Sequence, residues 1–228
     1  MSYPQNPNTI IVQNEWYPDG LSEISVWNYY QKYKALLLQQ TVGKEIMIFL
    51  ATDVNKTIVM RNLRGESLRL TPSTFDTLIT GRTLSIHSTM NAFEKVGIID
   101  LDIDNFHEAK KAVLEIEGII SKAPFVDETE IRYTGKDSFH IALNYKRRLR
   151  VDMAKELIKQ FLNEKINKRM YDIGYKRQDN KILLDLGSNK YRGAYITPYS
   201  LSTLGLRCIS LPRASIMGFS KNMVKITT

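Results

Sequence analysis

Three short stretches carry residues whose types and spacing could do chemistry. The first is Gly97-Ile98-Ile99-Asp100-Leu101-Asp102-Ile103-Asp104. Side chains alternate along an extended strand, so Ile99, Leu101 and Ile103 share one face and Asp100, Asp102 and Asp104 the other. Up to three carboxylates then lie within about 14 Å, at ~3.3 Å per residue. Like charges this close repel and raise one another's pKa, so a cation or a basic partner is expected beside them. Hard carboxylate oxygens select Mg²⁺ or Mn²⁺. The plainer reading is a solvated strand end. In either case Asp104 or Asn105 is expected to cap the helix that follows.

The second stretch runs from Tyr133 to Leu143 and reads Tyr-Thr-Gly-Lys-Asp-Ser-Phe-His-Ile-Ala-Leu. From Ser138 onward the alternation is sharp. Phe139, Ile141 and Leu143 face one way, and Ser138, His140 and Ala142 the other. Thr134 and Lys136 share the second parity, beside the flexible Gly135. Hydroxyls, an ammonium and an imidazole projecting together suit a phosphate chain. A lone strand histidine is more often structural, and its company here brings the two readings level. The third stretch is Leu183-Leu184-Asp185-Leu186-Gly187-Ser188-Asn189, followed by Arg192 and by Ile196 to Leu201. An aspartate that ends an apolar strand can complete a metal site, although alone it would more often be a turn residue.

These stretches need elements to position them. The run of polar and turn residues up to Tyr17-Pro18-Asp19-Gly20 reads as an extension closed by a turn. Ser22 caps a helix to about Leu38, with Ile24, Trp27, Tyr30 and Leu37 on one face. Residues 44–52 and 56–61 read as strands joined by an Asp-Val-Asn turn. Thr71-Pro72 starts a second helix. Further strands are expected over 82–87 and 96–102, then an amphipathic helix over 105–121 with Val113, Ile116 and Ile120 inward. Residues 130–145 read as two strands broken near Gly135. A Lys-rich helix over 151–170 turns Met153, Leu157, Ile158, Phe161 and Ile166 inward. From Lys181 the chain is strand-like with many turn residues. Strands and helices are interspersed without regular alternation, which points to a mixed α+β fold. The domain plan is a 1–15 extension and one catalytic domain over 16–228, with room for two lobes.

Composition narrows the partners. The 228 residues hold 32 Lys and Arg against 24 Asp and Glu, a net charge of +8. A basic excess suits a polyanion, nucleic acid before an anionic membrane. One cysteine, Cys208, excludes an internal disulfide and a Cys-rich zinc site. No apolar run approaches the ~20 residues that span a bilayer. No secretory signal is visible, so a cytoplasmic location without membrane attachment is expected.

Taken in order, the three stretches resemble the motifs of the archaeo-eukaryotic primase superfamily. Its Asp-x-Asp strand end matches Asp100 and Asp102. Its hydroxyl-Gly…His strand matches Thr134-Gly135-Lys136-Asp137-Ser138-Phe139-His140, and its strand-terminal aspartate matches Asp185. Within the superfamily the chain is most similar to the polymerase domain of bacterial end-joining ligases. Trp16-Tyr17-Pro18 before a helix holding Asn28-Tyr29-Tyr30, the strand Leu84-Ser85-Ile86-His87-Ser88, and Asp185, Asn189 and Pro198-Tyr199-Ser200-Leu201 carry that likeness. Pro198 to Arg207 also resembles the small catalytic subunit of archaeal primase. The chain departs in lacking zinc-knuckle ligands, in lacking lysines near Gln13-Asn14-Glu15-Trp16, and in placing Asp137 and Gly193 where basic residues are common.

The resemblance implies a primase-polymerase core with a central mixed or antiparallel sheet flanked by helices. It implies a template-dependent nucleotidyltransferase acting in replication priming or repair. A DNA primer or template and an NTP or dNTP are the partners, with room for an accessory primase or repair subunit. Asp100, Asp102 and Asp185 would hold two Mg²⁺ or Mn²⁺ ions ~3.5–4 Å apart, without zinc. Thr134, Lys136, Ser138 and His140 would bind the nucleotide phosphates, with Arg192 as a further phosphate ligand and His87 near the sugar or metals. Trp16, Tyr17 and the tail tyrosines are candidate stacking platforms for bases. The alternatives are a catalytically inactive nucleic-acid-binding subunit that kept the fold, and a metal-dependent transferase of another kind.

Overall fold

Apolar and polar side chains alternate through the two longest strands, β6 (Phe93–Asp102) and β8 (Phe139–Arg150). Their pairing organises the sheet that carries all three motif stretches. The structure is a computed structural model that describes residues 21–51, 57–103, 105–174 and 181–226. The expected extension over 1–15, the Tyr17–Gly20 turn, the Asp-Val-Asn turn and Asp104 lie outside the described residues. The chain divides into two compact units. One comprises Met1–Ser88, Ile196–Cys208 and Lys221–Thr228, the other Thr89–Tyr195 and Ile209–Ser220. Among the described residues no helix is long and apolar enough to cross a membrane.

The second unit is built on a six-stranded sheet. Besides β6 and β8 it contains β7 (Val126–Tyr133), β9 (Tyr171–Gly174), β10 (Ile182–Asp185) and β12 (Ile209–Leu211), in the order β12-β7-β8-β6-β10-β9. Every pairing is antiparallel except β10 with β9. On one face Ile99, Leu101, Phe139 and Ile141 are wholly buried. Helix α4 (Phe106–Ile120) covers this face, with the Phe106 ring stacked on Phe139 at 5.6 Å. Asn105 is the N-cap, its side-chain oxygen accepting from the amides of His107 and Glu108. A slip of one residue would exchange buried isoleucines for aspartates, so burial pins the register.

Helix α5 (Val151–Lys165) follows β8 with no intervening loop. Its buried side chains are Val151, Ala154, Ile158 and Leu162, whereas Met153 is 53% exposed. The strand delivers Val151 into the core, and that phase carries Met153 outward. The helix ends at Lys165, because Ile166 adopts extended backbone angles.

The first unit has a four-stranded sheet in the order β11-β5-β1-β2, made of β1 (Ile46–Ala51), β2 (Thr57–Met60), β5 (Thr83–Thr89) and β11 (Ala194–Ile196). A small hairpin, β3 (Asn62–Leu63) with β4 (Glu66–Ser67), lies between β2 and α3 in sequence. The expected helix from Ser22 is two helices, α1 (Glu23–Lys32) and α2 (Lys34–Gln40), separated at Tyr33. Ser22 caps α1 through a reciprocal box with Ser25. The buried face is Ser25, Val26, Tyr29 and Tyr30 rather than one centred on Ile24, which is 40% exposed. Thr71-Pro72 opens only a turn and the four-residue α3 (Phe75–Leu78), since Ile79 is already extended.

Candidate active site

Antiparallel register puts the predicted acids together. Asp185 on β10 is paired with Asp100 on β6, and Asp100 with His140 on β8. His140 is in turn paired with Arg132 on β7, and Arg132 with Ser210 on β12. Paired residues project to one side of a sheet, so Asp185, Asp100, His140, Arg132 and Ser210 form a row across five strands. Asp102 lies one pleat along, paired with Leu183, which is paired with Asp172 on β9. The row is therefore acidic at one end and basic in the middle.

Asp100 and Asp185 stand directly opposite each other, an unfavourable arrangement for two anions. Burial pushes the Asp185 carboxyl above its usual range, and the charges of Asp100 and Asp102 push it further. The Gly187 amide, which donates to Asp185 Oδ1 at 2.6 Å, and the charge of Lys155 oppose that rise. His140 Nε2 lies 3.5 Å from Asp100 Oδ2, at the edge of ion-pair range. Two polar atoms of this pair, Asp100 Oδ1 and His140 Nδ1, are buried without a hydrogen-bond partner. Orphaned buried polar atoms are costly and mark a place where a ligand atom is expected.

The donor set suits a hard divalent cation, since it offers three carboxylates with one buried oxygen uncommitted. Among the described residues no three acidic, histidine or cysteine side chains are already closed into a cage that could hold a metal. The raised pKa makes a prediction independent of any metal. Asp185 has a folded-state pKa above its unfolded value, so its contribution to stability is present below the ordinary carboxylate pKa. That contribution is lost as pH rises through the raised value. Asp185→Asn, which keeps an oxygen for the Gly187 amide, should raise the Tm of chelator-treated protein at pH 7, with the gain shrinking toward acid pH. Thermal melts at the two pH values check this, and an unchanged Tm at pH 7 would remove the repulsion.

Thr134 to Ser138 form the tight connection between β7 and β8, with Gly135 at φ +80°. The Thr134 hydroxyl donates to the Ser138 carbonyl at 3.0 Å and lies 3.0 Å from the Ser138 hydroxyl. The Tyr133 hydroxyl bonds the Lys136 carbonyl and ties down the tip. Lys136 itself is exposed at that tip, beside the buried Thr134 and one strand turn from buried His140.

The loop after β10 is held by Asn189. Its Oδ1 accepts from the Ile98 amide at 2.9 Å, and its Nδ2 donates to the Ile98 carbonyl. Gly97 is required beside it, because a Cβ there would overlap the Tyr145 hydroxyl. Arg192 follows in a left-handed conformation at φ +59°, its amide bonded to the Met90 carbonyl and its side chain exposed beside Tyr191. His87 belongs to the first unit, on β5. Its ring lies against Phe49, with Nε2 3.2 Å from the Ser85 hydroxyl.

Three residues of this face were not singled out from sequence. Arg132 is buried and paired with Glu130, whose second oxygen accepts from the Ser210 hydroxyl. Burial works to raise the Glu130 pKa, but the Arg132 hydrogen bond and charge, with Ser210, hold it below its usual range. Arg132 shares strand parity with Thr134, a signal available in the sequence. Asp172 and the structural role of Asn189 had no local signal, since both depend on which strand lies alongside.

No family model matches the chain, and no curated protein matches it in sequence. Among solved structures it is similar to the polymerase domain from Mycobacterium tuberculosis ligase D, determined in complex with DNA. The TM-score is 0.73 at 12% identity, over 92% of this chain and 89% of that one. A mixed sheet flanked by helices and this superposition agree: the chain has the fold of the archaeo-eukaryotic primase catalytic core, the fold of that polymerase domain.

Proposed function

We propose that the chain is a template-dependent nucleotidyltransferase that joins a nucleotide to a nucleic-acid 3′-hydroxyl, in priming or in repair. The observation that carries the reading is the cross-strand row, in which Asp185 opposes Asp100 and His140 adjoins it with buried unpartnered atoms. Asp100, Asp102 and Asp185 would hold two divalent cations. When bound, such ions favour deprotonation of an attacking hydroxyl and neutralise a triphosphate. His140 presents a ring nitrogen to a phosphate oxygen. The Ser138 and Thr134 hydroxyls and the Lys136 ammonium line the same end of the hairpin and orient the phosphate chain for in-line attack. Arg132, braced by Glu130, adds fixed positive charge next to His140. Arg192 and His87 remain further nucleotide ligands in this reading. The net charge of +8 suits the template backbone, which makes strand binding fall with salt. The DNA complex of the similar polymerase domain supports a DNA template.

Incubation with labelled NTPs and dNTPs on primed and unprimed single-stranded templates, with Mg²⁺ and then Mn²⁺, tests the reading. Extension of the primer is expected. His140→Ala and Lys136→Ala should each weaken nucleotide binding by ~10- to 100-fold, the worth of one hydrogen bond to a charged group. Unchanged affinity in both would remove the hairpin from the site. No product under any condition, with template binding intact, would assign the fold a binding role instead.

A further inference from the structure

The first unit contains a cleft of about 450 Å³ that includes none of the residues of the acid row. One wall is α1, which presents Asn28 and Lys32 one helical turn apart. The other wall is the short 3-10 turn Lys221–Val224 and the residues after it, presenting Asn222, Met223 and Lys225. Arg207 closes one side. Its guanidinium is fixed: it donates to the Met223 carbonyl at 2.7 Å, to the Val224 carbonyl at 3.3 Å and to the Tyr33 hydroxyl at 3.4 Å.

Among the described residues lining the cleft, all the charged side chains are basic. Three cations around one cavity repel unless an anion joins them. Lys32, Arg207 and Lys225 are the groups that bind phosphate oxygens, with the arginine pre-organised as a planar fork. Ile24 at 40% and Met223 at 64% exposure supply apolar surface for a flat ring, and methionine adapts to such a ring readily. Asn28 and Asn222 can both donate and accept, as the edge of a heterocycle requires. The cleft also falls within the range of small-ligand pockets, ~300–1,000 Å³.

We propose that this cleft is a second nucleotide site, holding a phosphate and its neighbouring base without a divalent cation. The shared chemistry is that of a free nucleoside triphosphate or one nucleotide unit of a single strand. The proposal goes beyond the nucleotidyltransferase reading and does not depend on it, because no residue of the cleft belongs to the second unit.

The test is calorimetric titration of ATP, and separately of a single-stranded oligonucleotide, in EDTA. Without divalent ions the carboxylate row repels a triphosphate, so binding reports the cleft. Wild type and Asp100→Asn are expected to bind alike. The double variant Lys32→Glu/Lys225→Glu should bind at least ~10-fold more weakly, from reversal of two phosphate-facing charges. Both lysines are exposed, so its Tm should match wild type. Displacement of ATP by the oligonucleotide would identify a strand as the occupant, and its persistence a free nucleotide. Absence of binding in EDTA, or equal binding by the charge-reversed variant, would overturn the proposal. Loss of primer extension in Asp100→Asn with EDTA binding intact would separate it from the acid-row reading.

Discussion

Asp100→Asn should lower nucleotide addition by roughly 10³-fold or more, beyond the ~10²–10³ that a single preorganised hydrogen-bond donor contributes. The reason lies in where Asp100 sits. It is the central member of the row, opposite Asp185 on one side and His140 on the other. One of its oxygens is buried with no partner, while the other faces His140 Nε2 at 3.5 Å. No hydrogen bond in the folded chain requires its negative charge, and its nearest acid repels it. The substitution should therefore leave the Tm unchanged or slightly raised while removing the charge that holds a cation. Single-turnover primer extension and a thermal melt on the same preparation check both halves. Activity within tenfold of wild type would discard the metal assignment. A large drop in Tm would mean that Asp100 is structural.

The largest expected effect on stability is at Asn189, which is 2% exposed. Strand β10 stops at Asp185, paired with Asp100, so nothing on β10 reaches Ile98. The Asn189 side chain supplies the missing partner, accepting from the Ile98 amide and donating to its carbonyl. Asn189→Ala leaves both peptide groups buried and unpaired, at ~1–3 kcal/mol each. A loss of about 2–4 kcal/mol is expected, which lowers the Tm by roughly 5–15 °C in a chain of this size. Primer extension should fall as well, since the same turn carries the Gly187 amide that holds Asp185. A melt within 1 °C of wild type would show that another group satisfies Ile98.

Much of this was legible in the sequence because it rests on local geometry. Alternation over 97–103 separated Ile99 and Leu101 from Asp100 and Asp102, and the structure keeps that separation. The break at Gly135 and the helix capped by Asn105 follow from backbone preferences of a few residues. The mixed α+β class and the primase-type fold were also readable, because the three short stretches occur in order. Helix phase was less secure. Met153 was expected inward and lies outward, since β8 feeding directly into α5 sets which side chain enters the core first. Tyr33 separates two helices where a single amphipathic pattern suggested one.

The sequence by itself therefore determined the two faces of each strand, because side-chain alternation is a property of one extended chain. Only the tertiary structure decided which residues became neighbours across strands. Asp185 against Asp100, Arg132 beside His140, and Asn189 filling the ladder at Ile98 all depend on strand order and register. Those are chosen by burial of the opposite face, where Ile99, Leu101, Phe139 and Ile141 pack beneath α4, and no periodicity along the chain encodes that choice.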